Sequence, residues 1–299
     1  MAPGILVVGS LAYDDVRTPD ASRSGLLGGG AAYFVIAASM YAPTRLSAVV
    51  GDDFREHDLD RLRARGVDLT GVERRSGRSL RWSGAYDVAR DVAVTSNTDL
   101  GVVSGWRPDL PEHYRHSDYA FLSNTDPLIQ AAALEQLRDN KLVAQDTMHS
   151  WITSARDGLL KVMRRVNAVF LNRSEVDLLF GRESDGPHEI LALGPQIAVI
   201  KSGARGARVA TPEAAWSSPS FAVDEVIDPT GAGDAFAGGF LGRLAETGKR
   251  DGPTVREALL HGSACASFAV EGFGVLGIEA ATRPAVDERI RTLGLRTAG

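Results

Sequence analysis

Cysteine is almost missing from this 299-residue chain. The single thiol, Cys265, excludes a disulfide within one copy and fits a reducing compartment. It sits in an apolar helical pattern and reads as a packing residue, not a nucleophile. Positive charge is short too: 33 Lys and Arg stand against 38 Asp and Glu, a formal net charge of −5, with no long basic run. No nucleic-acid partner is expected from that balance. Long apolar runs are also lacking. Residues 24–44 carry no charge, but Gly25, Gly28, Gly29 and Gly30 crowd the first half and Pro43 closes it. Only about a dozen residues remain for a helix, too few to span a membrane. Met1 to Gly9 has neither a basic n-region nor a cleavage pattern, so no signal peptide and a cytoplasmic location are expected.

Several chemical signatures fail on a residue or two. Gly242 to Lys249 approaches a phosphate-binding Gly-x4-Gly-Lys loop, but it has one residue too many and Arg250 follows the lysine. Gly231 and Gly233 lack the third glycine of a dinucleotide fingerprint, because Phe236 occupies its place. There is no Gly-x-Ser-x-Gly elbow. His113, His116 and Asp118 have no clear fourth partner for zinc and read as solvated surface.

What the chain does contain centres on Asp228-Pro-Thr-Gly-Ala-Gly-Asp234. Phe221 to Ile227 before it reads as the end of a strand, and Ala235 to Leu241 after it as a helix with small residues on one side. Pro229 stops a central strand, having no amide donor. Gly231 and Gly233 allow a tight turn and close approach of a ligand. Amides at a helix start, with the dipole behind them, form an anion site. An acid inside such a site needs separate work. Asp234 is expected to take a proton from an alcohol while Gly231, Ala232 and Gly233 stabilise the group the alcohol attacks. A glycine-rich helix start with an Asp near the dipole is the plainer alternative.

The rest of the chain alternates strand and helix. Apolar content of 44% with 24% charged residues is that of a globular protein able to bury one large core. Ile5–Val8, Leu46–Val50, Tyr119–Leu122, Leu142–Ala144, Ala168–Leu171 and Ile197–Ile200 are short apolar runs of the kind found in parallel sheets. Helices are expected over Glu56 to Gly66, from Asn124-Thr-Asp-Pro127 through Asp139, near Ala155 to Arg165, over Ser174–Phe180 and over Pro253 to Gly272. Residues 78–104 change character. Arg81 to Val88 and Val92 to Thr95 alternate like strands of a separate antiparallel appendage, with Trp82 as packing.

The Asp228–Asp234 turn followed by Ala-Phe-Ala-Gly-Gly-Phe closely resembles the C-terminal signature of the PfkB/ribokinase family of sugar and nucleoside kinases. Other stretches from residue 5 to about 280 are similar to elements of the same family. The resemblance implies a single α/β domain over residues 1–299: a ribokinase-like, Rossmann-type three-layer core with a small β-sheet lid from about 11–25 and 78–104. It implies transfer of the γ-phosphoryl of ATP to an alcohol of a small sugar, nucleoside or polyol, with Asp234 as base and Mg2+ as cofactor. Asp14, Gly28, Gly29, Tyr33 and Arg81 would meet the acceptor. Asn172, Lys201, Ser202, Gly203, Gly206, Thr230, Ala264 and Ser267 would meet ATP. Glu175, spaced Asn-x-x-Glu with Asn172, would hold Mg2+ through water, and the same spacing also fits a helix cap. The lid implies a homodimer. Ala12 and Tyr33 stand where many members carry amide side chains, which points to a nucleoside or another ring-bearing polyol in place of free ribose or fructose. A catalytically silent binding or regulatory member is the alternative of another class, against which intact Asp234 and Gly-Ala-Gly argue. A dinucleotide oxidoreductase is more distant.

Overall fold

Runs without a polar residue become strands covered on both faces. In the computed structural model, which describes residues 4–87 and 92–297, Ile5–Val8 and Tyr119–Leu122 are buried at every position. The described strands, in chain order, are β1 (Ile5–Val8), β2 (Ala12–Arg17), β3 (Ser22–Gly28), β4 (Thr44–Val50), β5 (Asp68–Arg74), β6 (Leu80–Asp87), β7 (Val92–Asp99), β8 (Tyr119–Leu122), β9 (Leu142–Asp146), β10 (Ala168–Asn172), β11 (Ile197–Lys201), β12 (Ala207–Ala210) and β13 (Ala215–Ser218).

Nine of them form one sheet in the order β13-β12-β11-β10-β9-β8-β1-β4-β5. From β11 to β5 the pairing is parallel, and β12 and β13 return antiparallel. Helices cover both faces. Gly30–Ala38, Ala232–Thr247 and Gly252–Ala269 build the core on one side. Pro127–Leu134, Arg156–Met163, Arg173–Phe180 and Pro187–Ala192 build it on the other. The small residues of Ala232–Thr247 let three helices approach closely. A Cβ on Gly238 would lie 2.5 Å from the Phe34 carbonyl, and one on Gly239 would lie 2.7 Å from Cys265 Sγ. Cys265 is a buried packing residue whose thiol is pushed up to about 12 by burial. The remaining four strands make a separate sheet in the order β3-β2-β6-β7. Part of the expected appendage, Val88 and residues 89–91, lies outside the described residues, as do residues 1–3 of the expected leader-free start.

Two expectations are corrected. Phe221 to Ile227 is not a strand. Its middle, Asp224 to Val226, is exposed; Phe221 packs under Arg289 at the start, and the Ile227 and Asp228 amides donate to the Val270 carbonyl at the end. The helix after Pro127 stops at Leu134 and does not reach Asp139; within the expected capping stretch, Asp126 caps it by accepting from the Leu128 amide at 2.8 Å. Residues 24–44 hold the expected buried helix, Gly30–Ala38, after the end of β3, and no described helix is long and apolar enough to cross a membrane.

Candidate active site

Chain order reverses around β1, which pairs with β4 on one side and β8 on the other. Ligands of open α/β sheets bind in the crevice at the carboxyl ends of strands flanking such a point. Here those ends deliver Ser10 after β1, Ser123 and Asn124 after β8, Asp146 on β9, Asn172 on β10 and Lys201 on β11.

The turn before Ala232–Thr247 faces this edge. Asp228, fully buried, organises it. Its Oδ1 accepts from the Thr230 amide at 2.9 Å and the Thr230 hydroxyl at 2.5 Å, and its Oδ2 accepts from the Gly274 amide at 3.0 Å. Thr230, expected at the nucleotide, is therefore engaged within the turn. Gly231 has φ 74°, and a Cβ there would sit 2.3 Å from the Tyr33 ring. Both observations exclude any other residue without rearrangement. Beyond it the helix starts, and its first amides face the cleft.

Around this turn stand four buried or partly buried acids, Asp14, Asp146, Glu175 and Asp234, and one lysine. The Lys201 ammonium donates to Asp146 Oδ2 at 2.6 Å and would touch a Cβ on Gly233 at 3.1 Å. Glu175 is buried, and its Oε2 accepts from the Asn172 amide at 2.8 Å while Asn172 Oδ1 accepts from the Glu175 amide at 2.9 Å. The Asn-x-x-Glu spacing is thus a capping box at the start of Arg173–Phe180. Burial, then the Asp146 charge, raises the Asp234 carboxyl to about 7, with Lys201 opposing. Burial first and Asp146 second raise Glu175 to about 8. Asp14 is raised to about 7 by burial, against the Gly29 amide that bonds its charged form.

The other side of Asp234 is built on an absent side chain. A Cβ on Gly30 would lie 2.6 Å from Asp234 Oδ1, 2.7 Å from Ser123 Oγ and 2.8 Å from Asn124 Oδ1. Of these oxygens, Asp234 Oδ1 and Ser123 Oγ are buried without a hydrogen-bond partner. Buried polar atoms are rarely left so unless a ligand or water completes them. Asp14 lies beside Gly28, where a Cβ would meet its Oδ2 at 1.9 Å, and Gly29 passes close to the Ser10 carbonyl.

Other expected site residues make contacts of their own within the protein. Tyr33 is 1% exposed and supports Gly231 from the core side, so it is not an open wall for a substrate. Arg81 is bound to Asp53 at 2.9 Å and lies over the Tyr13 ring. Ala264 is fully enclosed, and Ser267 donates to its carbonyl at 2.6 Å while accepting from Arg289 at 2.8 Å. Ser202, Gly203 and Gly206 form the hairpin between β11 and β12, closed by the Ser202 amide on the Gly206 carbonyl at 2.8 Å. His113 pairs with Asp68, His116 with Glu112 and Asp118 with Lys141, and no cluster able to hold a metal through three acidic, His or Cys side chains occurs among the described residues. Gly30, Ser123, Asn124 and Asp146 were missed as site residues. Their signal was position alone, since each lies just beyond the carboxyl end of a neighbouring strand or at its last residue, or opens the helix that follows.

Comparison with known proteins places this geometry. Residues 4–280 match the model of the pfkB family carbohydrate kinases. The chain is 29% identical to a cytidine kinase of Thermococcus kodakarensis over 246 residues, 79% of this chain and 87% of that one. It is 30% identical to the ribokinase of Bacillus subtilis over 291 residues, 91% of this chain and 94% of that one. The crystal structure of the Methanocaldococcus jannaschii nucleoside kinase superposes with a TM-score of 0.80 at 21% identity, covering 97% of this chain and 98% of that chain.

Proposed function

The chain belongs to the pfkB family of carbohydrate kinases, and from that premise we propose that it moves the γ-phosphoryl of ATP to a hydroxyl of a nucleoside, with Asp234 as the base. One observation carries the reading. The unpartnered Oδ1 of Asp234 and the Ser123 and Asn124 oxygens converge on bare Gly30, beside the anion-binding turn. An alcohol placed over Gly30 would give its proton to Asp234. Its oxygen would face the group held by the Gly231–Gly233 amides, and Asp14 would hold a second hydroxyl. Positioning and charge stabilisation then do most of the work.

A nucleoside acceptor is supported by the cytidine kinase relative. The Tyr33 ring no longer contributes, being enclosed behind Gly231. The ribokinase relative makes the competing case. Comparing kcat/KM for cytidine, inosine, ribose, fructose and inositol at one Mg-ATP concentration tests it. A preference for ribose or fructose overturns the acceptor and leaves the kinase reading intact.

The donor set fits Mg2+. One buried carboxylate, Glu175, sits among Asp146 and Asp234 with a single ammonium between them, and Mg2+ prefers few protein ligands and several waters. Bound there with ATP, it would neutralise charge on the phosphate oxygens. Glu175→Gln keeps the capping geometry and removes the carboxyl that a bound Mg2+ would ionise, so the free Mg2+ needed for half-maximal rate is expected to rise about 10-fold. Superimposable curves would leave Glu175 as a cap only. A cytoplasmic location and a homodimer through the second sheet complete the proposal, the latter checked by light scattering on the purified chain.

A further inference from the structure

We propose that Trp82 decides which acceptor the site takes: its indole is the platform on which the flat base of a nucleoside stacks, while Asp14 beside it holds a hydroxyl of the sugar. This rests on the reading of the acceptor as a nucleoside.

Trp82 reads in the sequence as packing, yet among the described residues it joins neither hydrophobic core and stays partly exposed. Its place follows from strand register. β2 and β6 pair in parallel, with Ala12 opposite Leu80, Asp14 opposite Trp82 and Val16 opposite Gly84. Side chains alternate along each strand, so all of these share one face of the second sheet. That face is turned to the cleft. Leu80 packs on the core at its inner end. Asp14 is 3% exposed, lies against Gly28 just before the glycine turn, and feels the charges of Asp228 and Asp234. Tyr13 and Arg81, paired on the opposite face, are taken up by Asp58, Asp53 and each other.

The ring is fixed where it lies. A Cβ on Gly84 would be 2.3 Å from Cη2 and Cζ2 of Trp82, so the indole lies over a bare glycine. The indole N–H donates to Thr95 Oγ1 at 3.1 Å. Thr95 pairs with Gly84 from β7, which puts it on the same face. A glycine inside a strand weakens it, and a tryptophan left partly in water forgoes the burial a core would give it. Packing explains neither. A flat ring held at a fixed place beside a carboxylate explains both. Neighbouring strands are about 4.8 Å apart. The sugar and base of a nucleoside are joined by a single bond, so the groups that hold them must be neighbours at such a spacing. A free sugar has no flat face to lay on the ring, whereas every base has one. The platform therefore selects for a base without choosing between bases.

The test compares cytidine, inosine and ribose in the parent, Trp82→Leu and Trp82→Phe at one saturating Mg-ATP concentration. Trp82→Leu keeps an apolar cover over Gly84 and removes the flat ring. It is expected to raise KM for both nucleosides by about 10- to 100-fold with kcat little changed. Its kcat/KM for ribose and its KM for ATP are expected to match the parent. Trp82→Phe keeps a ring and stays near the parent. The change in fluorescence that cytidine causes in the parent is expected to be missing in Trp82→Phe. If Trp82→Leu does not fold, or ribose turns over too slowly to compare, that fluorescence change decides. Equal losses on nucleosides and ribose, or a fluorescence change kept in Trp82→Phe, overturn the proposal and leave Trp82 as packing. Equal losses with a lower mass by light scattering overturn it in favour of a contact between copies. A parent that prefers ribose to both nucleosides removes the nucleoside reading itself, and that result is read before any variant is made.

Discussion

Asp234→Asn is expected to lower kcat by roughly 10²–10⁴-fold while leaving ATP binding nearly unchanged, because it removes the proton acceptor and nothing else. The amide side chain is almost isosteric. It keeps the helix start, the Gly231 turn and the Tyr33 support behind it. The charge it removes is one that burial and Asp146 already oppose, holding the carboxyl at about 7. The sign follows from that position. A protonated carboxyl accepts nothing, so parent activity should rise as pH increases through about 7 and level off above. Burial also pushes Asp14 up to about 7 and Glu175 up to about 8, so the observed limb belongs to all three acids. The variant removes one of them: any limb that survives in its residual activity is that of Asp14 and Glu175. Rates from pH 5.5 to 9 with both proteins check this. A fully active Asp234→Asn would place the base elsewhere.

The turn that carries Asp234 was legible because its residues are constrained by short-range geometry. Proline and two glycines between a buried Asp and a helix allow few backbones, and the one formed is an anion-binding helix start. The parallel sheet was legible for a similar reason, since short runs without a polar residue suit few other environments. Legibility ended where a role depends on what faces a residue across the fold. Tyr33 reads as a substrate wall in a glycine turn, yet the turn from 200 residues later lies on its ring. Arg81 reads as a substrate contact, yet Asp53, at the end of a different strand, holds it.

The same limit hid the best-placed residues. Ser123, Asn124 and Asp146 are ordinary polar residues after apolar runs, and many strand ends have them. Only the strand order, with β8 and β9 beside β1, brings them to one crevice. Asn172 and Glu175 show the opposite case. Their spacing admitted a cap and a metal-associated pair, and the capping box occupies one carboxylate oxygen while leaving the acid beside Asp146. Sequence spacing alone had no means to weigh the two, because the deciding neighbours come from other strands.

Gly30→Ala is expected to cut kcat/KM for the acceptor by at least about 10²-fold with the fold retained. Gly30 opens the helix Gly30–Ala38, where alanine is the better helix former by about 1 kcal/mol. Its φ is not in the left-handed region, so the backbone does not resist the change. The cost falls on the site. The added methyl would lie 2.6 to 2.8 Å from Asp234 Oδ1, Ser123 Oγ and Asn124 Oδ1. Those contacts are too short to persist, so the three side chains must swing away and the space for the acceptor hydroxyl closes. A displacement near 1 Å at a reacting group is worth about 10²-fold in rate. ATP binding should survive, because neither Lys201 nor the Gly231–Gly233 turn is among the groups the added methyl would meet. Three measurements on one protein check this: thermal unfolding, ATP affinity and acceptor kcat/KM. Unchanged melting and ATP binding with turnover lost would fix the acceptor hydroxyl over Gly30. Normal turnover would mean that the alcohol approaches Asp234 from another direction, and that the unpartnered oxygens around Gly30 serve something other than the acceptor.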